Sequence, residues 1–211
     1  MSDVRPGPGE ELNTGAPTVP RQAATVILLR GRDEGLEVLL VQRTPKARFM
    51  AGAWVFPGGA VDASEGDGDD AHRAAALREL AEEAGVRISD PDALVKFSRW
   101  ITPAEVRIRY DTHFYLARLP RGQAPAVDGE EVVDFGWFTP EGALAASRAG
   151  EILLVFPTIK HLEQLAAFAN ADELVAHARG REVVPVQPRV VPPEVGGEVA
   201  RIVLPGEPGY D

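Results

Sequence analysis

None of the 211 residues is cysteine, so disulfides, thiolate catalysis and cysteine-held zinc are excluded. No apolar run approaches the roughly 18 to 20 residues that cross a bilayer. The start, MSDVRPGPGEELNTGAPTVP, lacks the basic and apolar regions of a signal peptide. Positive charge is also short: 22 Lys and Arg stand against 32 Asp and Glu, a formal charge of −10. That balance argues against a nucleic-acid binder, which shows a basic face or stripe, and an anionic substrate must be handled locally. There is no internal repeat at solenoid periods and no P-loop or G-x-S-x-G element. His72, His113, His161 and His177 are scattered without metal-ligand spacing, so structural or surface roles are expected for them. With 45% hydrophobic and 26% charged residues, the chain can bury a core as one domain with appendages. A cytosolic (cytoplasmic) protein with neither nucleic-acid nor membrane partners is the expectation.

Residues 1–20 are rich in Pro, Gly and acids without periodicity, and are expected to be a disordered or loosely draped tail. From residue 21 the pattern changes. AATVILLR and LEVLLVQR are apolar, β-branched runs separated by the turn GRDEG, which predicts two neighbouring strands. AWVFPGGAV predicts a third, stopped by Pro57 and the glycine pair. After the acidic loop DASEGDGDD, a helix is expected from about Asp70 to Ala84, capped by Asp69 or Asp70 and closed by Gly85. LVKFSRWI, DTHFYLARL and EVVDFGWF read as further strands, followed by helical stretches near 140–148 and 158–178. Together these make residues 21–180 a mixed α/β layered domain. The proline-rich extension 181–211 has room for edge strands at most. The sequence leaves open whether it packs on the domain or across a homodimer interface.

Within the helix, RELAEEAGV places Glu79, Glu82 and Glu83 together. At about 100° per residue, Glu82 and Glu83 fall on either side of Glu79, and all three share a narrow face. Leu77, Leu80, Ala81 and Ala84 take the opposite arc, suited to packing on a sheet. Like charges at i, i+4 cost about 0.2–0.5 kcal/mol per pair, so something should offset the repulsion. Solvation of an acidic face is the ordinary explanation for such a run. Hard divalent cations, which take carboxylate oxygens and share their shell with substrate phosphates, are the functional one.

The stretch GG…RELAEEAGV resembles the signature of the Nudix hydrolases: G, five residues, E, seven residues, then REUxEExGU with U apolar. Arg78, Glu79, Leu80, Glu82, Glu83, Gly85 and Val86 match its second half. Counting back from Arg78 puts Asp70 at the first acidic position, with a five-residue insertion between it and Gly59. The resemblance implies an α/β/α sandwich with a mixed β-sheet and hydrolysis of a nucleoside diphosphate linked to another moiety. It further implies that Glu79, Glu82 and Glu83 bind Mg²⁺ or Mn²⁺, which would polarise phosphoryl oxygens and lower the pKa of an attacking water. Arg78 would orient the glutamate beside it. The general base varies within the family, and Glu131 and Glu130 are the distal candidates.

Upstream, Arg43, Lys46 and Arg48 make a cationic patch on an otherwise acidic chain. Arginine's planar fork suits phosphate oxygens. The spacing from Leu39 through Arg43, Arg48 and Gly52 to the turn glycines Gly58 and Gly59 resembles the extra motif of the coenzyme A diphosphatase branch, with Val41 and Thr44 as substitutions. The lengthened box loop, RWITP, YDTHFYLA and LPGEPGY resemble a peroxisomal mammalian subgroup of that branch. This resemblance implies a small-molecule nucleotide substrate, coenzyme A or acyl-CoA, cut to 3′,5′-ADP and 4′-phosphopantetheine, with Arg43 and Arg48 meeting its phosphates. Phe49, Trp54 and Trp100 are candidates for stacking on adenine or lining the pantetheine groove. The rival readings are the same chemistry on NADH or ADP-ribose, a nucleotide sensor that does not cleave, and an interaction scaffold using the proline-rich tail.

Overall fold

The computed structural model describes residues 11–13, 15–31, 35–47, 49–127, 129–191 and 201–210. The predicted β1 (Arg21–Arg30) and β2 (Glu37–Arg43) form and pair antiparallel. The third predicted strand is two short ones, β3 (Ala53–Val55) and β4 (Gly58–Ala60), because the chain breaks at Pro57. Helix α1 (Gly68–Ala84) starts two residues earlier than expected. Its N-cap is Asp67, whose side chain makes no cap bond, while Gly85 closes the other end in the left-handed conformation. Asp69 is not a cap: its carboxylate accepts hydrogen bonds from Arg73, Lys96 and Tyr115.

Then follow β5 (Val95–Ile101), β6 (Tyr110–Arg118), β7 (Val132–Phe138), α2 (Pro140–Arg148) and β8 (Leu153–Leu154). The helical stretch expected near 158–178 is two helices, α3 (Phe156–Leu165) and α4 (Ala171–Arg179), divided where Asn170 caps the second through the Glu173 N–H. The extension carries β9 (Pro185–Val186), β10 (Arg189–Val191) and β11 (Arg201–Val203).

The mixed sheet runs in the order β8-β3-β2-β1-β6-β5-β9, with β4 also on β1 and β7 also on β2. β1 and β6 are parallel from Arg21↔Tyr110 to Leu29↔Arg118. Alternation along β1 divides the core between two layers. Ala24, Val26 and Leu28 face Ala75, Ala76, Leu80 and Ala84 of α1. Ile27 and Leu29 face the other side, with Ala143, Leu162 and Leu174 of α2, α3 and α4. The result is the α/β/α sandwich with a mixed sheet. No helix among the described residues is long and apolar enough to cross a membrane.

β1 stays with β2 for only two residue pairs, at Leu29↔Val38 and Arg30↔Glu37. Its other end pairs instead with β4, at Ala23↔Ala60 and Thr25↔Gly58. This switch brings the glycine pair beneath α1. Of the N-terminal segment, the described residues from Glu11 to Thr18 run along the loop before β6: Asn13 N–H donates to the Glu105 carbonyl, and Arg109 to the Thr18 carbonyl.

His161 is fully buried among Phe56, Trp100 and Phe114. Its Nδ1 lies 2.7 Å from the Pro157 carbonyl, an acceptor, so Nδ1 carries the proton and Nε2 accepts from Ser98 Oγ at 2.6 Å. Burial pushes its pKa down to about 4. The unfolded chain therefore takes up a proton near pH 6.5 that the folded one refuses until about pH 4, so stability is lost as pH falls through that window. The expected slope from this group is about 1.4 kcal/mol per pH unit. Urea unfolding from pH 7 to 4 should show it, with a shallower slope in His161→Gln.

Candidate active site

Of the sequence-predicted site residues, Arg43, Gly58, Gly59, Glu79, Glu83 and Glu131 line one cleft of about 420 Å³. Glu79 and Glu83 project from α1 towards β4. Glu83, 4% exposed, accepts a hydrogen bond from the Gly58 N–H at 2.9 Å. Burial pushes its pKa up to about 7; the Gly58 N–H pulls the other way, and the charge of Glu79 adds to the rise. Burial also raises Glu79, against the pull of Arg78.

The glycine pair makes this proximity possible. A Cβ on Gly59 would lie 2.3 Å from Glu79 Oε1, and one on Gly58 would lie 2.6 Å from the Ala24 carbonyl and 2.7 Å from Thr25 Cα. Small residues on α1 work to the same end, since Ala75, Ala76 and Ala84 are wholly buried and let the helix lie close to the sheet.

Glu82 does not join the other two. Its side chain is 60% exposed and bonds Arg78 Nη1 at 3.1 Å. The convergence of three carboxylates expected from the helical wheel is thus a pair, Glu83 buried and Glu79 half-buried, with the third turned outwards. Arg78 is the hub, donating to Glu79 at 2.7 Å, to the Ala60 carbonyl at 3.0 Å and from Nε to Glu65 at 3.0 Å. Glu65 occupies the place the sequence reading assigned to Asp70. Counting forward from Gly59 would have found it, because Gly59, five residues, Glu65 follows the motif spacing without a gap. The insertion therefore lies after Glu65, between it and Arg78. A capping box with Asp62 fixes Glu65: Asp62 N–H donates to its Oε2 at 2.7 Å.

Glu131 also lines the cleft, and its charge raises both Glu79 and Glu83. Arg43, at the end of β2, lines it too, with its buried Nε lacking a hydrogen-bond partner among the described residues. Arg48 lies outside the described residues. Of the three aromatic candidates, Phe49 and Trp100 line the cleft, whereas Trp54 packs edge-on to Phe138 in the core. The sequence reading missed Thr158, Val190 and Ile202, which also line it.

The site's donors are hard carboxylate oxygens, the kind that Mg²⁺ and Mn²⁺ prefer. A buried and a half-buried carboxylate, both of raised pKa, fit a divalent cation. Among the described residues no group of three or more His, Cys, Asp or Glu is already gathered around one point, because Arg78 holds Glu82 away.

The NUDIX domain model matches residues 19–156. The chain belongs to the Nudix family. This Nudix hydrolase is 27% identical to nudix hydrolase 7 of Caenorhabditis elegans over 226 residues, covering 90% of this chain and 74% of that protein. It is 25% identical to the human acyl-coenzyme A diphosphatase NUDT19 over 290 residues, covering 85% of this chain and 75% of that one. Among solved structures it resembles a NUDIX hydrolase from Alicyclobacillus acidocaldarius, with TM-score 0.68 and 28% identity over 75% of this chain and 96% of that one.

Two pairs of variants test this geometry. Glu65→Gln should lower activity by about 10–100-fold by releasing Arg78, whereas Asp70→Asn should leave it near wild type in the same steady-state assay. Gly58→Ala, which meets β1 backbone, should lose about 1–3 kcal/mol of stability. Gly59→Ala meets only the movable end of Glu79, so its melting temperature should hold while activity falls.

Proposed function

We propose that this Nudix hydrolase cleaves the diphosphate of coenzyme A or an acyl-CoA, giving 3′,5′-ADP and (acyl-)4′-phosphopantetheine. The observation that carries the substrate is Arg43: a half-buried guanidinium in the same cleft as the carboxylate pair, its buried Nε without a hydrogen-bond partner among the described residues. A guanidinium held there would bind a phosphate group in addition to the one being cleaved. The spacing of the Arg43 motif and the likeness to acyl-coenzyme A diphosphatase NUDT19 support the same substrate.

In this reading Glu79, Glu83 and Glu82 would hold Mg²⁺ or Mn²⁺, although the Glu82 carboxylate is bonded to Arg78 here. When bound, the cation supplies charge neutralisation at the diphosphate and acidifies an attacking water. The chain's own residues do the rest. The Gly58 N–H fixes the Glu83 carboxylate, and Arg78, itself held by Glu65, fixes that of Glu79. Glu131 faces both across the cleft as the group that takes the proton from water. Arg43 and, by its place in the motif, Arg48 orient the nucleotide half.

Product analysis by chromatography, with Mg²⁺ or Mn²⁺ and coenzyme A, acetyl coenzyme A, NADH and ADP-ribose, tests this directly. Release of 3′,5′-ADP from the coenzyme A compounds, lost in Glu83→Gln, is expected. Cleavage of NADH or ADP-ribose alone would reject the substrate and keep the hydrolase. Arg43→Ala should erase the preference for coenzyme A over its 3′-dephospho form; an unchanged preference would remove Arg43 from phosphate recognition.

A further inference from the structure

The cleft has two ends of opposite character. Its charged lining residues are Arg43, Glu79, Glu83 and Glu131. They act as a group, since Glu83 feels the charges of the other three. The far end is walled by Trp100, Phe114 and Phe156, and by Val190 and Ile202 of the antiparallel pair β10 and β11; no charged side chain among the described residues lines it, and the Glu105 carboxylate that accepts from the Val190 N–H lies outside the lining. Into this apolar end opens the N-terminus of α3.

The first N–H groups of a helix have no partner within it and must find one outside. At α3 the N-cap is Val155, which has no polar side chain to offer. Pro157 has no N–H, and neither the Phe156 nor the Thr158 N–H meets an acceptor among the described residues. Thr158 is 4% exposed and lines the cleft, and its hydroxyl also makes no hydrogen bond among the described residues. Two N–H groups and a hydroxyl thus stand open in apolar surroundings. Unmade hydrogen bonds of this kind are costly, and a ligand can make them.

We propose that the α3 N-terminus is a subsite for the carbonyl oxygens of an uncharged, amide-bearing arm of the substrate. This rests on the coenzyme A reading, in which pantetheine is such an arm and lies across the diphosphate from the adenosine. The usual occupant of a helix N-terminus is an anion. Here an anion would meet no cationic side chain at this end and would share the cleft with Glu79 and Glu83. A neutral carbonyl has far less hydration to give up than a phosphate on entering an apolar recess. The apolar walls fit the methylenes between the amides, and the β10–β11 pair makes the C-terminal extension part of substrate recognition.

Thr158→Val keeps the side-chain shape and removes the hydroxyl; Thr158→Ser keeps the hydroxyl. In steady-state kinetics with Mn²⁺, Thr158→Val should raise KM for coenzyme A and 3′-dephospho-coenzyme A alike by about three- to tenfold, with kcat held and Thr158→Ser close to wild type. Calorimetry with the two products separates the halves of the molecule. Binding of 4′-phosphopantetheine should weaken by the same factor, and binding of 3′,5′-ADP should not change. Equal weakening of both products, or of 3′,5′-ADP alone, would overturn the proposal in favour of a structural role or an anion site; no change in either would show that the donors are unused. If wild-type protein hydrolyses no coenzyme A compound but binds 4′-phosphopantetheine through Thr158, the reaction assignment fails while the subsite stands. If it does not bind 4′-phosphopantetheine, the subsite falls.

Discussion

Much of this structure depends on keeping two carboxylates one helical turn apart, one buried and one half-buried, on the face of α1 that meets β4. Glu83 is buried and holds one backbone N–H. The Glu79 carboxylate lies too close to Gly59 to leave room for a Cβ there. Burial disfavours the charged form of each; the charge of Glu79 adds to it at Glu83, and those of Glu82 and Glu131 add to it at Glu79. Such an arrangement persists only if the surrounding structure over-determines it. The alanine face of α1, the pairing of β4 with β1 and the Glu65–Arg78–Glu79 chain each remove a way for the pair to relax. A divalent cation bound by them would relieve both burial and repulsion, so the arrangement fits the metal-assisted hydrolysis proposed above.

The same economy governs charge around the cleft. The protein carries a formal charge of −10, a poor starting point for attracting a nucleotide through its overall field. On the proposed reading recognition is local instead, through the carboxylates and Arg43 on one side of the cleft and the α3 N–H groups among apolar side chains on the other. The two ends differ in what they ask of a ligand, and a molecule satisfying both carries phosphate at one end and apolar, acceptor-bearing chain at the other. The walls come from far apart in the chain, with Arg43 from β2, Glu131 from just before β7, Thr158 from α3, and Val190 and Ile202 from the extension. Glu105 ties that extension to the loop before β6, accepting from the Val190 N–H at 3.3 Å.

What the sequence determined by itself was local and periodic. Apolar, β-branched runs marked the central strands, because a strand buried on both faces must be apolar at successive positions. The spacing of RELAEEAGV, closed by Gly85, marked α1 and its chemistry, since 3.6 residues per turn set which side chains share a face. Even Glu65 was legible, by counting from Gly59 forwards. Tertiary structure decided the rest. A helical wheel could not tell that Glu82 turns to solvent, because that depends on where Arg78 is pulled, and Arg78 is pulled by a carboxylate beyond an acidic loop. Nor could it show that the glycines seat the carboxylates, or that α3 starts uncapped at the cleft while a proline-rich extension walls the same space. Periodicity describes neighbours along the chain, whereas these contacts join residues that only the closed sheet brings together.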